Sequence, residues 1–546
     1  MALPSLSATS FQSSPVTYLK LTYEKRPLIV RALAVVALYG LYFLLGGGLT
    51  GQRMPYDAGE YWELATSFRG PDRQFSLLTY HYAMRGYCAA LVQFPALVVR
   101  LLTNSSMPVA AKTAGIGWAV LLMAWLLPAL WQSIKPGRLD GRRWLVFLLL
   151  SFAFWRDHFS FSLTDVPALT LLLLALWSLS RSAVVWWLVA GLSLAAAFNS
   201  RPVYLASVVP ALGLAVWWSS QHPSRQRVGR WVALLLGLAL VMSPQLRINQ
   251  LHFQRNTPFV LARIDPKVDA YLYLQQLTWG TRILRYDTSL EHRLFYADPA
   301  GVALLRAKGI GQYASYAEYL GVVARHPLNF AFRYLRHLFN GLDVQQPAPY
   351  LLRSYGWETP WVQLLNYSAL GIALGLILLT PPRRWLTLPR ALLLLAILIP
   401  CLASVPTAIE VRFLLPLHLL LLWLTAFCFS PSRCRLALAA SPRQALVMLL
   451  AAVVWLGGCF WLSAATFRNL APDTGELLAL YAPPYLPAVC STPPRSGAGN
   501  AACCRSEAIR TGWIRAPQSQ GLIGVEGPAA TTSGCSGQNF SPGTPA

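Results

Sequence analysis

Residues 28–49 read LIVRALAVVALYGLYFLLGGGL, an apolar run in which Arg31 is the only charged residue. A helix that crosses a bilayer needs about 17–25 predominantly apolar residues, and similar runs return at 109–131, 361–380 and 445–464. The 546-residue chain is 55% hydrophobic and 12% charged, whereas soluble domains carry about 25% charged residues. We therefore predict an all-α polytopic membrane protein, because a transmembrane β-barrel shows short alternating segments instead.

The positive charge of the chain is distributed as in a membrane protein. Its formal net charge is +24, but the arginines fall in small groups between apolar runs and form no continuous basic face, which argues against a nucleic-acid partner. Basic residues concentrate in cytoplasmic loops. This bias predicts a cytoplasmic N-terminus (1–27), membrane lipids as surroundings, and four cytoplasmic segments: 132–143, 219–230, 381–390 and 430–444.

This loop assignment predicts eleven spans and an outer face that carries two large loops. The segment 86–103 is apolar, but counting it as a span would put every later basic loop on the wrong side. We therefore expect an interfacial helix there, with outer loops at 50–106 and 244–360. The predicted spans are 28–49, 107–131, 144–156, 162–180, 184–199, 202–218, 231–246, 361–380, 391–405, 411–429 and 445–464.

The second outer loop is predicted to be a small soluble cap that ends in an amphipathic helix. Leu328, Phe332, Leu335, Phe339 and Leu342 keep helical spacing. The opposite face holds Asn329, Arg333, Arg336, His337 and Asn340. It is either the solvated face of an interfacial helix or a surface that meets an anionic, lipid-linked substrate. Residues 472–546 are rich in Pro, Gly, Ser and Ala, a composition that predicts a disordered tail.

The first outer loop contains PYDAGEYWELA (55–65), with three of the chain's 21 acids within seven positions. If this stretch is helical, one apolar, membrane-facing stripe holds Asp57, Tyr61, Leu64 and Phe68. Desolvation on that stripe would raise the basicity of the Asp57 carboxylate. The competing interpretation is a capping box, with Asp57 as N-cap and Glu60 at the third helical position. Both interpretations remain open at this stage.

Further ionisable residues fall at outer turns, where they are candidates for a functional site. FWRDHFSFSLTDVP (154–167) places His158 in a short turn and Asp165 at the start of the next span. Arg201 follows in FNSRPVYL, and Glu410 and Arg412 lie in IEVRFLLP. The alternatives are a helix cap for Asp165 and local ion pairs or headgroup contacts for the arginines. The charge-derived topology puts all of them on one face.

These motifs resemble those of the GT-C glycosyltransferases. The likeness lies in Asp-x-x-Glu-Tyr-x-x-x-Ala from Asp57, LTD ending at Asp165, SRP around Arg201, and E-x-R-F-L-L-P from Glu410. It covers about residues 28–465 and is nearest to the branch of protein O-mannosyltransferases and lipid A aminoarabinose transferases. The resemblance implies a multi-span enzyme that takes a sugar from a polyprenyl-phosphate donor to a lipid, glycan or protein acceptor on the outer face. We expect a bacterial inner membrane.

The resemblance also implies roles for individual residues. Asp57 matches the catalytic aspartate, Glu60 an acidic companion, Asp165 an acid near donor phosphate or metal, and Arg412 a basic residue facing the carrier phosphate. Many relatives have an acid or tyrosine directly beside the first aspartate, where this chain has Ala58. The candidates for substrate binding are Arg201, Arg412, His158, Arg336 and His337.

Transfer from a sugar phosphate needs few chemical groups. A base must take the acceptor's hydroxyl proton, and a cation must balance the phosphate charge. A departing phosphate needs no strong general acid, unlike the leaving group of a glycosidase. The sequence thus requires no cofactor, although a divalent metal would also serve as the cation. The alternative function is a transporter or flippase of lipid-linked or polar substrates that performs no glycosyl transfer.

Overall fold

The computed structural model describes residues 25–50, 54–68, 74–134, 139–264, 271–289, 293–350, 356, 358–380 and 386–472. Most of the predicted cytoplasmic N-terminus (1–27) and nearly all of the predicted disordered tail (472–546) lie outside these residues.

The described residues fold mainly into helices, with one small sheet. Its strands are β1 (Ile283–Thr288), β2 (Arg293–Ala297) and β3 (Ala471–Pro472). The helices are α1 (Lys25–Leu44), α2 (Tyr56–Thr66), α3 (Cys88–Leu91), α4 (Phe94–Thr103), α5 (Met107–Ala119), α6 (Leu127–Ile134), α7 (Gly141–Trp155), α8 (Asp165–Leu179), α9 (Val184–Ser200), α10 (Val208–Ser220), α11 (Ser224–Phe253), α12 (Leu272–Arg282), α13 (Pro299–Ala307), α14 (Tyr316–Arg325), α15 (Pro327–Leu342), α16 (Thr359–Leu379), α17 (Leu388–Ser404), α18 (Leu415–Cys428), α19 (Pro431–Ala440) and α20 (Pro442–Arg468).

Several of these helices are suited to cross a membrane. Within the described residues, seven are long and apolar enough, or up to eight if the bent pair Gly141–Ser160 and Asp165–Leu179 is one span. The chain is therefore a helical, multi-pass membrane protein. The seven are Pro27–Leu44, Met107–Gln132, Pro202–Ser220, Ser224–Phe253, Thr359–Leu379, Val411–Cys428 and Pro442–Arg468.

The predicted count of eleven differs because four of the predicted segments are short. All eleven coincide with helices, but α9 and α17 have only 17 residues each, and the segments at 144–156 and 162–180 form the bent pair. The segment 86–103 contains the short apolar helices α3 and α4. The exact number of spans therefore stays a prediction.

The bend between α7 and α8 creates one corner of the later site. The two helices turn through 116°, and a 3-10 turn at Arg156–Ser160 follows α7. Asp165 opens α8, and Pro167 lies in the first turn, where its missing N–H costs nothing. His158 and Asp165 are thereby brought to the same corner although they belong to different helices.

Helix α9 packs between α8 and α11, and its contact with α11 depends on two glycines. A Cβ on Gly191 would lie 2.1 Å from the carbonyl oxygen of Leu234, and one on Gly237 2.3 Å from that of Leu188. Small residues of this kind let membrane helices approach backbone to backbone. Helix α11 continues through Pro244 to Phe253, so the expected loop boundary at residue 244 falls inside a helix.

The segment 244–360, predicted to be an outer loop, contains a β-hairpin that the all-α prediction lacks. Strands β1 and β2 pair antiparallel, with Tyr286 opposite Phe295. On the free edge of β1, the Tyr286 amide donates to the Ile409 carbonyl over 3.1 Å. The hairpin therefore holds the backbone directly before Glu410.

Helix α15 has the opposite orientation from the one expected of a solvated basic face. Its polar side is buried: Arg333 Nε donates to Asp298 Oδ2 over 2.8 Å, and Asn340 Nδ2 to the Leu284 carbonyl over 2.7 Å. Leu328 and Phe332 are 73% and 69% exposed. The sequence pattern identifies two faces correctly, but the polar face packs on the hairpin side of the protein.

A buried carboxylate, Asp343, links this hairpin to the membrane helices. Its Oδ2 accepts from Arg285 Nη1 over 2.9 Å and from Ser463 Oγ of α20 over 2.8 Å. Its Oδ1 accepts from the Tyr367 hydroxyl of α16 over 2.6 Å. Arg285 also pairs with Asp287 over 2.6 Å. Because Asp343 is fully buried, its charge depends on these partners.

We predict that Asp343→Asn strongly destabilises the protein. Arg285 would keep Asp287, but the amide of asparagine donates where Asp343 accepts from Arg285, Tyr367 and Ser463. Each buried polar group that is left unsatisfied costs about 1–3 kcal/mol. Thermal unfolding of the purified full-length chain, followed by tryptophan fluorescence, should show a clearly lower midpoint. Asp140→Asn is the control, because Asp140 is an exposed N-cap and asparagine caps equally well. Equal midpoints for both variants would contradict this account.

Candidate active site at Arg412

Four segments that are distant in sequence meet around the side chain of Arg412. They are the first turn of α2, the start of α8, the residue after α9, and the 3-10 turn Val411–Leu414 that precedes α18. These segments carry the acidic, LTD, SRP and E-x-R motifs. The structure therefore brings together the residues that the charge-derived topology assigns to one face.

The guanidinium of Arg412 contacts three carboxylates. Its Nη2 lies 2.7 Å from Asp57 Oδ2, and its Nε lies 2.7 Å from Glu410 Oε2. Its Nη1 is 3.9 Å from Asp165 Oδ2. The Arg412 side chain is only 8% exposed. A buried charge of this kind is stable only when its partners are well placed, so Arg412 fixes the positions of all three acids.

Arg201 provides a second cation beside the first. It forms an ion pair with Asp165, and its guanidinium lies 5.4 Å from the ring centre of Phe413, compared with 5.8 Å for Arg412. Both arginines line a small cavity whose remaining walls are largely apolar. The other lining residues are Asp165, Val203, Tyr204, Pro400, Ser404, Phe413 and Leu415.

A second, more polar cleft opens on the hairpin side of Arg412. Its lining includes His158, Arg285, Asp287, Glu410 and Arg412. Arg412 thus lies at the boundary of two cavities of different character. An anion with an apolar tail would suit the first, and a hydroxylated group would suit the second.

Glu410 is a site residue that the sequence-based prediction of site residues omits. Burial raises the pKa of its carboxyl to about 7, with Asp57 and Asp165 adding to the effect and Arg412 opposing it. Its place in the E-x-R motif, two residues before Arg412, makes it a candidate in the sequence, with a local ion pair as the alternative. That ion pair exists, but it is part of the larger cluster.

Asp57 belongs to this cluster and is not a helix cap. The N-cap of α2 is Pro55, which makes no side-chain capping bond, and Asp57 lies within the first turn. The capping-box interpretation is therefore wrong. The preceding Tyr56 has φ +42°, an uncommon conformation for an aromatic residue and a type of strain found at functional sites.

The prediction that desolvation makes Asp57 more basic is also wrong. Burial acts to raise the pKa of the Asp57 carboxyl, but the positive charges of Arg412, Arg85 and Arg201 together lower it by more. The predicted stripe faces protein, since Tyr61 and Phe68 are 5% and 2% exposed and α2 ends before Phe68. Asp57 is therefore ionised at neutral pH and able to accept a proton.

Glu60 lies outside the Arg412 cluster although it is on the same helix. Its carboxylate accepts a hydrogen bond from the Tyr82 hydroxyl. Burial raises the pKa of Glu60, and the Asp57 charge adds to this effect. The role as acidic companion that the resemblance implies stays a prediction.

His158 lies at the polar cleft and has one buried ring nitrogen that makes no hydrogen bond within the described residues. Its Nδ1 lies 3.1 Å from the Pro347 carbonyl, which can only accept, so Nδ1 carries the proton and Nε2 the lone pair. The ring is 5% exposed, and Nε2 has no hydrogen-bond partner among the described residues. This geometry is consistent with the predicted substrate contact.

The other two predicted binding residues, Arg336 and His337, are engaged in packing. Arg336 Nη2 donates to Thr466 Oγ1 over 3.0 Å. The His337 nitrogens lie 2.7 Å from the Val405 carbonyl and 2.9 Å from the Ile283 carbonyl. Neither side chain joins the Arg412 cluster, because both lie on the buried polar face of α15. The prediction that they contact a substrate finds no support in this geometry.

A metal site was left open by the sequence. Among the residues that the structure describes, no group of three or more His, Cys, Asp or Glu side chains is placed to hold a metal ion. The acids nearest to such an arrangement are those held by the Arg412 guanidinium.

Comparisons with protein-family models, curated proteins and solved structures find no match for this chain. The resemblance to GT-C glycosyltransferases therefore stays a prediction from the sequence motifs.

We predict that diethyl pyrocarbonate, which acylates a neutral imidazole nitrogen through its lone pair, modifies His158 more readily than other buried histidines, because its Nε2 makes no hydrogen bond within the described residues. Two buried histidines are internal controls: His337, described above, and His418, whose nitrogens bond Trp155 and Asn366. Peptide mass spectrometry at increasing reagent concentration should show modification of His158 before that of both controls. Protection of His158 equal to that of the controls would show that its lone pair is no more available than theirs.

Proposed function

We propose that this chain is a membrane glycosyltransferase that moves a sugar from a polyprenyl-phosphate donor to a hydroxyl group of a lipid, glycan or protein acceptor. The proposed location is the outer face of a bacterial inner membrane. The observation that carries the proposal is the meeting of Asp57 and Asp165 with Arg201 and Arg412 beside the membrane helices. These are the residue types that transfer from a lipid phosphate needs.

The two guanidiniums would bind the donor phosphate. Planar guanidinium groups make paired, charge-assisted hydrogen bonds to phosphate oxygens. The cavity that Arg201 and Arg412 share has apolar walls that include Val203 and Leu415, which suits the first isoprene units of a lipid carrier. The sugar would then lie on the side of Asp57.

The transfer step uses Asp57 as the base. The acceptor oxygen bonds to the anomeric carbon on the face opposite the phosphate, and the carbon–oxygen bond to the phosphate breaks. The phosphate leaves with the electron pair, while the acceptor's hydroxyl proton passes to the Asp57 carboxylate. Arg412 and Arg201 stabilise the charge that develops on the leaving phosphate.

We predict that Asp57→Asn abolishes transfer while protein level and membrane insertion stay near normal. Asparagine keeps the shape and one acceptor oxygen for Arg412, but it cannot take a proton, so the rate should fall at least about 10²–10⁴-fold. The measurement is the mass of surface glycolipids and glycoproteins in cells that lack the gene and carry each variant. Glu63→Gln is the control, since Glu63 is exposed on the same helix.

Glu60→Gln completes the experiment by testing the neighbouring carboxylate. If Asp57→Asn keeps most of its transfer activity while Glu60→Gln is inactive, the base is Glu60. If both variants transfer normally, the enzymatic proposal fails and the transporter or flippase alternative gains support. The proposal would also fail if deletion of the gene left the masses of all surface glycolipids and glycoproteins unchanged.

A further inference from the structure

The Arg412 cluster has a charge imbalance that matters for an anionic ligand. Three carboxylates (Asp57, Asp165 and Glu410) share two guanidiniums (Arg201 and Arg412). One negative charge is therefore left over in a largely buried site. Arg85 and Glu60, the next charges outward on the α2 side, add one of each sign and leave the balance unchanged.

A phosphate that binds here must compete with carboxylates already bonded to Arg412. Glu410 takes two of the guanidinium nitrogens, with Nε at 2.7 Å and Nη2 at 3.2 Å, so it is the partner that blocks the anion most fully. A bound phosphate would add to the unbalanced negative charge of the cluster, and burial of unbalanced charge costs free energy. The cost falls if one carboxylate becomes neutral when the anion arrives.

Glu410 is the carboxylate best placed to become neutral. Asp165 has its own partner in Arg201, and Asp57 is held ionised by Arg412, Arg85 and Arg201 together. Within the described residues Glu410 forms an ion pair with Arg412 alone, and burial already raises its pKa to about 7. The groups that face it or share its cleft are Arg412, Asp57, Asp165, Tyr286, Tyr350, His158, Arg285 and Asp287.

We propose that binding of a phosphodiester anion at Arg412 and Arg201 is coupled to the uptake of one proton by Glu410. The anion displaces the Glu410 carboxylate from the guanidinium, and the displaced carboxylate takes a proton from solvent through the polar cleft. The inference depends on the phosphate site of the proposed function. It adds that donor binding weakens as the pH rises above 7.

The test uses a probe that cannot itself titrate near neutral pH. A methyl isoprenyl phosphodiester keeps a single negative charge throughout the range, unlike a phosphate monoester. Its binding to the purified full-length protein is measured by isothermal titration calorimetry at pH 8 in two buffers of different ionisation enthalpy, with EDTA present. The buffer dependence of the heat gives the number of protons taken up, and no variant is needed for this readout.

We expect close to one proton to be taken up at pH 8, and the affinity to fall about tenfold for each pH unit above 7. The sign follows because Glu410 is ionised above pH 7 in the free protein and neutral in the complex. Glu410→Gln should bind the probe with a pH-independent affinity near the wild-type value at pH 6, and without proton uptake. Glu63→Gln should retain the wild-type pH dependence.

Three results would overturn the coupling. The first is probe binding to the wild type with no proton uptake, which leaves the phosphate site intact. The second is an unchanged pH dependence in Glu410→Gln. The third is an affinity of the wild type that does not fall between pH 7 and pH 9. Failure of the wild type to bind the probe at any pH would overturn the proposed function as well.

Discussion

The ion pairs of Arg412 hold together the residues of the candidate active site. A guanidinium that is only 8% exposed gains little from water, so its free energy depends on how well the surrounding carboxylates are placed. Those carboxylates come from α2, from α8 and from the residue two positions before Arg412. The charge of Arg412 therefore connects α2, the bend after α7 and the start of α18. A shift of one of these segments would weaken an ion pair of Arg412.

Strand β1 and helix α15 also hold the backbone next to this cluster. Strand β1 bonds the backbone of Ile409, and His337 of α15 lies against both Val405 and Ile283. The same hairpin is linked through Arg285 and Asp343 to α16 and α20. The turn that carries Glu410 and Arg412 is thus positioned by polar contacts that reach into the membrane helices. The resulting site keeps its acids next to the cations that a phosphate would need.

Much of the membrane architecture follows from hydropathy, because long apolar runs have few alternative structures. The shared face of Asp57, Asp165, Arg201 and Arg412 could also be predicted, since loop charges assign sides without knowledge of packing. Pairings could not. The lowered pKa of Asp57 depends on its distance to Arg412, and the orientation of α15 depends on whether its polar face meets water or the buried partners it has, such as Asp298. An amphipathic pattern identifies two faces but not their surroundings.

The glycine crossing of α9 and α11 has a mechanical consequence for substrate adaptation. Because the two backbones touch at Gly191 and Gly237, the end of α9 that carries Arg201 cannot shift without moving a helix of 30 residues. The short turn Val411–Leu414 lies outside this crossing and is held by ion pairs and by the hydrogen bond between Tyr286 and Ile409 directly before it. The backbone that carries Arg201 would therefore move less easily than the backbone that carries Arg412. Ligands of different size would be discriminated by how far the Arg412 turn can follow them.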